Sequence, residues 1–189
     1  MKQYTIQTYP LPEGYNLTDY KINILQKLID RLTFAFSKTS QILFVRLDIR
    51  QPQIVESDGS NTCFQWFWEE YMRKLREYVL GFVWTREQHN SHNCHWHTII
   101  FFDQNKMRYF GYPFTANSLW AKAIEKFYKI DAPKLGLIES APLIRNGLVV
   151  HRDNELLQDE ALRIAAYIAK KKTKGEAPYH VREFGVSYV

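Results

Sequence analysis

Three residues in this chain have the types and spacing of a metal site. His95-Trp96-His97 sits at the start of a run that continues as Ile99-Ile100-Phe101-Phe102, a strand signature. On a strand, residues two apart project from one face, so both imidazoles point together and Trp96 points away. A second apolar run, 81–88, precedes it and carries Glu87; the polar residues His89-Asn90-Ser91-His92-Asn93 between them read as a hairpin loop. If Glu87 pairs with His95, then Thr85 pairs with His97 and all four side chains share a face. Two nitrogens and one carboxylate oxygen would then converge, leaving positions open for water and substrate, as catalytic metals require. This donor set admits manganese, magnesium, zinc and other ions. A structural zinc using His89, His92 and Cys94 is the competing reading, but no second cysteine pair exists and Cys94 should point away from His95.

A tyrosine supplies the second chemical group. In Arg163-Ile164-Ala165-Ala166-Tyr167-Ile168-Ala169-Lys170-Lys171, the apolar stripe runs through Leu157, Ala161, Ile164, Ala165 and Ile168. Tyr167 lies about 100° round from Ile168, beside Arg163, Lys170 and Lys171 at helical spacing. It therefore shares a face with cations rather than with the core. A phenol with a pKa of about 10 is a weak nucleophile, and neighbouring cations favour phenolate and also hold a phosphate. A metal acting as a Lewis acid on that phosphate would let Tyr167 attack and form a covalent intermediate.

The elements that must position these groups are legible as periodicity. Apolar spacing predicts helices over 18–38, 61–80 with Asn61 as cap, 117–130 and 155–172. Strands are expected over 41–50, 81–88, 95–102, 142–152 with a turn at Asn146-Gly147, and 184–187. In the first strand Leu43, Val45, Leu47 and Ile49 face one side, and Phe44, Arg46 and Asp48 the other. Residues 1–17, with Pro10, Pro12 and Gly14, read as an irregular arm. The interleaving predicts one α+β domain over residues 1–189 with a mainly antiparallel sheet.

Bulk properties set the limits. A chain of 189 residues with 46% hydrophobic and 15% aromatic content folds around a sizeable core. No apolar run is long enough to span a membrane, and the N-terminus lacks the apolar core of a signal peptide, so the expected compartment is the host cytoplasm. Cys63 and Cys94 are then expected as free thiols. The net charge of +5 favours a polyanionic partner. The expected phosphate-binding cations are Arg163, Lys170, Lys171, Lys172, Lys174 and Arg182, joined by Arg46 and Arg50. Trp66, Trp84 and Trp120 read as core residues.

These parts, in this order, resemble the HUH superfamily of single-strand endonucleases, which includes replication initiators, relaxases and some transposases. The resemblance covers roughly residues 40–188. It rests on His95-Trp96-His97, on an acid eight residues upstream at Glu87, and on Tyr167-Ile168-Ala169-Lys170, which matches Tyr-x-x-Lys. Phe44-Val45-Arg46-Leu47-Asp48 stands in the place of the first family motif, with Asp48 as possible support for the site. The whole is most similar to inovirus-type replication proteins and YagK/YfjJ-like prophage domains. The resemblance implies a sheet of about five strands flanked by helices, related to the ferredoxin-like fold. It also implies a manganese or magnesium ion on Glu87, His95 and His97, and Tyr167 and Lys170 in catalysis. Arg46, Arg163, Lys171, Lys174 and Arg182 would bind DNA. The implied activity is nicking and rejoining of single-stranded DNA at a replication origin through a 5′-phosphotyrosine, which starts rolling-circle synthesis. Only one tyrosine is available, because Arg163 and Lys171 occupy the positions one turn away. No G-x-x-x-x-G-K-[ST] loop is present, so no helicase domain is expected and unwinding falls to a host helicase or an already single-stranded origin. Two alternatives from other classes are a non-catalytic DNA-binding regulator on the same fold and a metal hydrolase that uses water.

Overall fold

In a computed structural model, residues 2–56, 58–88, 93–111, 113–132, 137–141, 144–172 and 178–188 are described. The elements are α1 (Ile22–Lys38), β1 (Gln41–Arg50), α2 (Thr62–Leu75), β2 (Val79–Glu87), β3 (His95–Asp103), α3 (Phe114–Tyr128), β4 (Ile138–Ser140), β5 (Leu148–His151), α4 (Glu155–Ala166) and β6 (Phe184–Val186). The sheet runs β4-β1-β3-β2-β6, with β5 also paired to β1, and its pairings are antiparallel. Within it, β1-α2-β2-β3-α3-β4 in the order β4-β1-β3-β2 is the βαββαβ arrangement of ferredoxin-like domains. The expected α+β class and antiparallel sheet are therefore observed.

Helices cover both faces of the sheet. Beneath one lie α2 and α3, whose Phe64, Phe67, Trp68, Trp120 and Ile124 pack on Leu43, Val45, Leu47, Trp96 and Ile100. Over the other lie α1 and α4, whose Leu25, Leu28, Leu32, Ala161 and Ala165 pack on Ile42, Phe44, Val83, Ile99 and Phe101. The helical stripe of α1 read from sequence is buried as expected. The polar face expected for β1 is shorter than its alternation suggested. Its Ile42 and Phe44 are core, and Arg46, Asp48 and Arg50, toward the C-terminal end, bring polar groups to the α1/α4 face.

Several boundaries differ from expectation, each for a tertiary reason. Asn61 precedes α2 but makes no cap bond. Its amide instead donates to the Arg182 carbonyl at 2.7 Å and accepts from Trp96 Nε1 at 3.1 Å. Helix α3 begins at Phe114 rather than Asn117, and Asn117 is fully buried. Its Oδ1 accepts from the backbone N–H groups of Leu137 and Ile138, and its Nδ2 donates to the Ile138 carbonyl, all within 3.1 Å. This side chain docks β4, a strand too short to show alternation. Of the strand expected over 142–152, residues 142–143 lie outside the described residues, and among the rest Leu148–His151 is strand.

The turn expected at Asn146-Gly147 precedes β5. Gly147 has φ +84°, and a Cβ there would stand 2.6 Å from Leu43 Cδ1. Gly147→Ala therefore combines backbone strain with overpacking and should destabilise the protein by about 1–3 kcal/mol. A lowered urea midpoint with an unchanged m-value would show it.

Candidate active site

The β2–β3 register pairs Glu87 with His95 and Thr85 with His97. From the other side, β1 pairs Asp48 with His97 and Arg50 with His95. The three central strands thus place Asp48, Glu87, His95 and His97 on the face beneath α4. One donor atom each from Glu87, His95 and His97 lies within 4.8 Å of the others. Glu87 is 2% exposed, and its Oε2 stands 3.0 Å from His97 Nε2 and 3.2 Å from His95 Nε2. Both imidazoles therefore aim their outer nitrogens at one buried carboxylate oxygen, and this group could hold a metal ion.

Asp48 fixes which nitrogen His97 offers. Its Oδ1 lies 2.6 Å from His97 Nδ1, so Nδ1–H donates to it and Nε2 faces the site. Carboxylate–imidazole pairs of this kind orient and strengthen metal-binding histidines. Arg46 in turn grips Asp48 with two hydrogen bonds, Nε to Oδ1 at 3.1 Å and Nη2 to Oδ2 at 3.0 Å. Burial disfavours charge on both partners. The hydrogen bonds to Asp48 and Glu87 nevertheless hold His97 above its ordinary pKa, and the His97 bond and Arg46 hold Asp48 below its own. Asp48→Asn keeps an acceptor but removes the charge, and should weaken metal binding by about 10–100-fold. Isothermal titration with manganese measures this directly.

Tyr167 stands beside these groups. Its ring meets the His97 ring edge-on, with centroids 5.0 Å apart, and the Arg46 guanidinium carbon lies 3.9 Å from its centroid. The helix expected to reach Lys172 ends earlier: α4 stops at Ala166 and a 3-10 turn covers Tyr167–Ala169. Residues 19–21, just after the N-terminal arm and inside the helix expected from residue 18, bond to this turn. Lys21 N–H donates to the Ala169 carbonyl at 2.8 Å, Lys171 N–H to the Asp19 carbonyl at 2.9 Å, and Tyr20 and Lys170 form a β-bridge. In the arm itself, Tyr9 Oη donates to the Leu162 carbonyl, while Lys2 and Tyr4 bind Asp159. The segment read as irregular is a clamp on the helix that carries Tyr167.

One electrostatic expectation is reversed. In the ion-free protein the phenol of Tyr167 is raised above its ordinary pKa, by burial first and then by the Glu87 carboxylate, against the opposing effect of Arg46. The cations alone do not make a phenolate here. A positive ion on Glu87 would cancel the main charge that opposes one.

Three clefts meet at Tyr167. One of about 360 Å³ reaches His95, His97, Asp48 and Arg50; another of about 400 Å³ lies between Arg46, Arg163 and Lys170; a third of about 330 Å³ holds Lys171, Lys172 and Tyr15. Lys170 Nζ sits 5.4 Å from the Tyr167 centroid and 4.0 Å from that of Tyr15. Arg163 is paired with Glu160, and Arg50 with Glu139. Tyr15 escaped the sequence reading because it belongs to no periodic element. Arg182 departs from the expected cluster and lines a cleft on the opposite face of the sheet. Lys174 lies outside the described residues, as do His89 and His92 of the alternative zinc reading. Cys63 and Cys94 are both buried, and Arg86 Nη2 donates to Cys94 Sγ at 2.7 Å. Trp84 and Trp120 are core residues, while Trp66 is half-buried against Phe127. Among the described residues, no helix is long and apolar enough to cross a membrane.

A search of curated proteins returned no match to this chain, and a search of solved structures returned none. The family model described as the YagK/YfjJ C-terminal domain matches residues 7–187. That span takes in Tyr9 and residues 19–21 of the clamp, the sheet, Glu87, His95, His97 and Tyr167, and the chain belongs to the YagK/YfjJ C-terminal domain family.

Proposed function

We propose that this protein is an HUH-type endonuclease that nicks and rejoins single-stranded DNA at a replication origin, with Tyr167 as nucleophile. The observation that carries the reading is the 5.0 Å separation of the Tyr167 and His97 rings. A phosphate held at Glu87, His95 and His97 would lie within reach of the phenol. Manganese or magnesium fits the mixed imidazole–carboxylate set, and when bound it would polarise a non-bridging phosphate oxygen. Asp48 keeps His97 in the tautomer that presents Nε2, and Arg46 holds both Asp48 and the tyrosine ring.

In the step itself, Tyr167 Oη forms a bond to phosphorus and the bond from phosphorus to the 3′ oxygen breaks. The phenolic proton is lost to solvent, and the departing 3′ oxygen takes one up. One phosphodiester replaces another, so the reverse reaction rejoins the strand. Lys170 and Arg163 line the approach to the phenol and would neutralise the flanking phosphates. A host helicase or a single-stranded template would expose the strand.

The test is incubation with labelled single-stranded origin DNA and manganese, followed by a denaturing gel and peptide mapping. A metal-dependent adduct on the peptide containing Tyr167 supports the reading. Cleavage without an adduct would assign water as nucleophile, and binding without cleavage would leave a regulator; either overturns it.

A further inference from the structure

The last described segment, residues 178–188, runs along the β2 edge of the sheet and lines a cleft on the face opposite Tyr167. At its middle, Glu183 pairs with Lys21, close to the helix clamp, and its carbonyl accepts from Arg86 N–H. Further on, β6 pairs with β2 at the sheet edge, and Ser187 exchanges two 3.1 Å hydrogen bonds with Phe82. Between β6 and α2 opens a cleft of about 640 Å³, larger than any of the three at Tyr167.

The chemistry of this cleft is specific. Phe82 and the edges of the buried Trp68 and Trp84 form aromatic walls, Arg182 and His180 bring a guanidinium and an imidazole, and the Glu69 carboxylate also lines the cleft. Trp84 is locked under β6 because position 185 is glycine; a Cβ there would come within 2.5 Å of the indole. At the margin, Tyr188 and Tyr179 are 97% and 88% exposed, with Tyr179 packed on His180. Rings in solvent beside a preformed aromatic wall and an arginine form a stacking and phosphate-binding surface suited to unpaired bases. One side chain links the cleft to the strand that carries the histidines. Asn61 binds both the Arg182 carbonyl and the indole of Trp96, the residue between His95 and His97.

We infer that this cleft is a second binding site for single-stranded DNA, holding a stretch that flanks the one at Tyr167. The inference rests on the endonuclease reading. It assigns Arg182 to strand capture away from the reacting phosphate and gives Tyr188 a role as a stacking platform.

The test uses the full chain carrying Tyr167→Phe, in chelator, so that binding is read without chemistry. Fluorescence anisotropy compares an oligonucleotide of about 8 nucleotides, within the roughly 4–16 that one single-strand groove holds, with one of about 25, which exceeds it. Arg182→Glu with Tyr188→Ala alters two exposed side chains, so folding is not at risk. The expected result is a roughly tenfold weaker affinity for the long oligonucleotide and an unchanged affinity for the short one. Arg163→Glu should weaken both. Equal binding of the long oligonucleotide by the double variant and its parent overturns the second site alone. Failure of the parent to bind either oligonucleotide overturns the endonuclease reading as well. Displacement of the long strand by an acidic peptide but not by unlabelled single strand would reassign the cleft to a protein partner.

Discussion

Tyr167→Phe should abolish the covalent adduct and lower strand cleavage by at least about a thousandfold, while leaving fold, metal binding and DNA affinity nearly intact. The change removes one oxygen and little else. Phenylalanine keeps the ring that packs against His97 and under Arg46, so the edge-on contact and the cation–π contact both survive. The clamp that ends α4 is made by backbone groups of Lys21, Ala169, Asp19 and Lys171, none of which the substitution touches. Loss of activity with unchanged stability would therefore mark a nucleophile rather than a packing residue. The measurement is a single-turnover time course on labelled single-stranded DNA, with binding and thermal unfolding run in parallel. Residual cleavage at the wild-type rate without adduct would transfer the chemistry to water.

Much of this arrangement is readable from sequence because it depends on local parity. Strand alternation fixes that His95 and His97 share a face, and an even hairpin register brings Glu87 opposite His95. The stripe of α4 likewise places Tyr167 off its apolar centre. What escapes the sequence is long-range. The contacts of Asp19, Tyr20 and Lys21 fall where apolar spacing predicts helix, and opposite them α4 ends at Ala166 rather than the expected Lys172. That shift matters for the site: beyond Tyr167 the chain is drawn into a bridge with Tyr20, and the phenol's contacts are Arg46 and His97. Asp48 and Arg46 were visible as polar residues on a strand, but their roles depend on β1 lying beside β3. Arg182 shows the opposite failure. Its charge is plain in sequence, and only the path around β6 reveals that it serves another face.

Glu87→Ala should eliminate metal binding and with it the stabilisation that the ion confers. At about a hundredfold excess over its dissociation constant, a bound ion adds about 2.7 kcal/mol to wild-type stability, which is roughly 5–10 °C in midpoint for a domain of this size. The variant should show no such rise, and differential scanning calorimetry with and without manganese decides it. An equal rise in both proteins would place the ion elsewhere. The wild-type rise should also depend on pH, and its sign follows from His97. Without metal this imidazole is bonded to carboxylates through both nitrogens, and its folded pKa lies above the unfolded value of about 6.5. Its contribution to ion-free stability is therefore fully present below about pH 6.5 and is lost as pH climbs through the folded value. Asp48, depressed by the same pair, contributes stability that is lost only as pH falls through its low folded value. Metal binding requires His97 neutral at Nε2, so the ion displaces a proton and its affinity strengthens as pH rises. The metal-dependent rise in midpoint should accordingly grow from mildly acidic toward alkaline pH, just where the ion-free protein weakens. Glu87 accepts from the imidazoles when the ion is absent and would ligate it when present. The site is thus assembled by folding and would exchange a proton for a metal without rebuilding the strands that carry it.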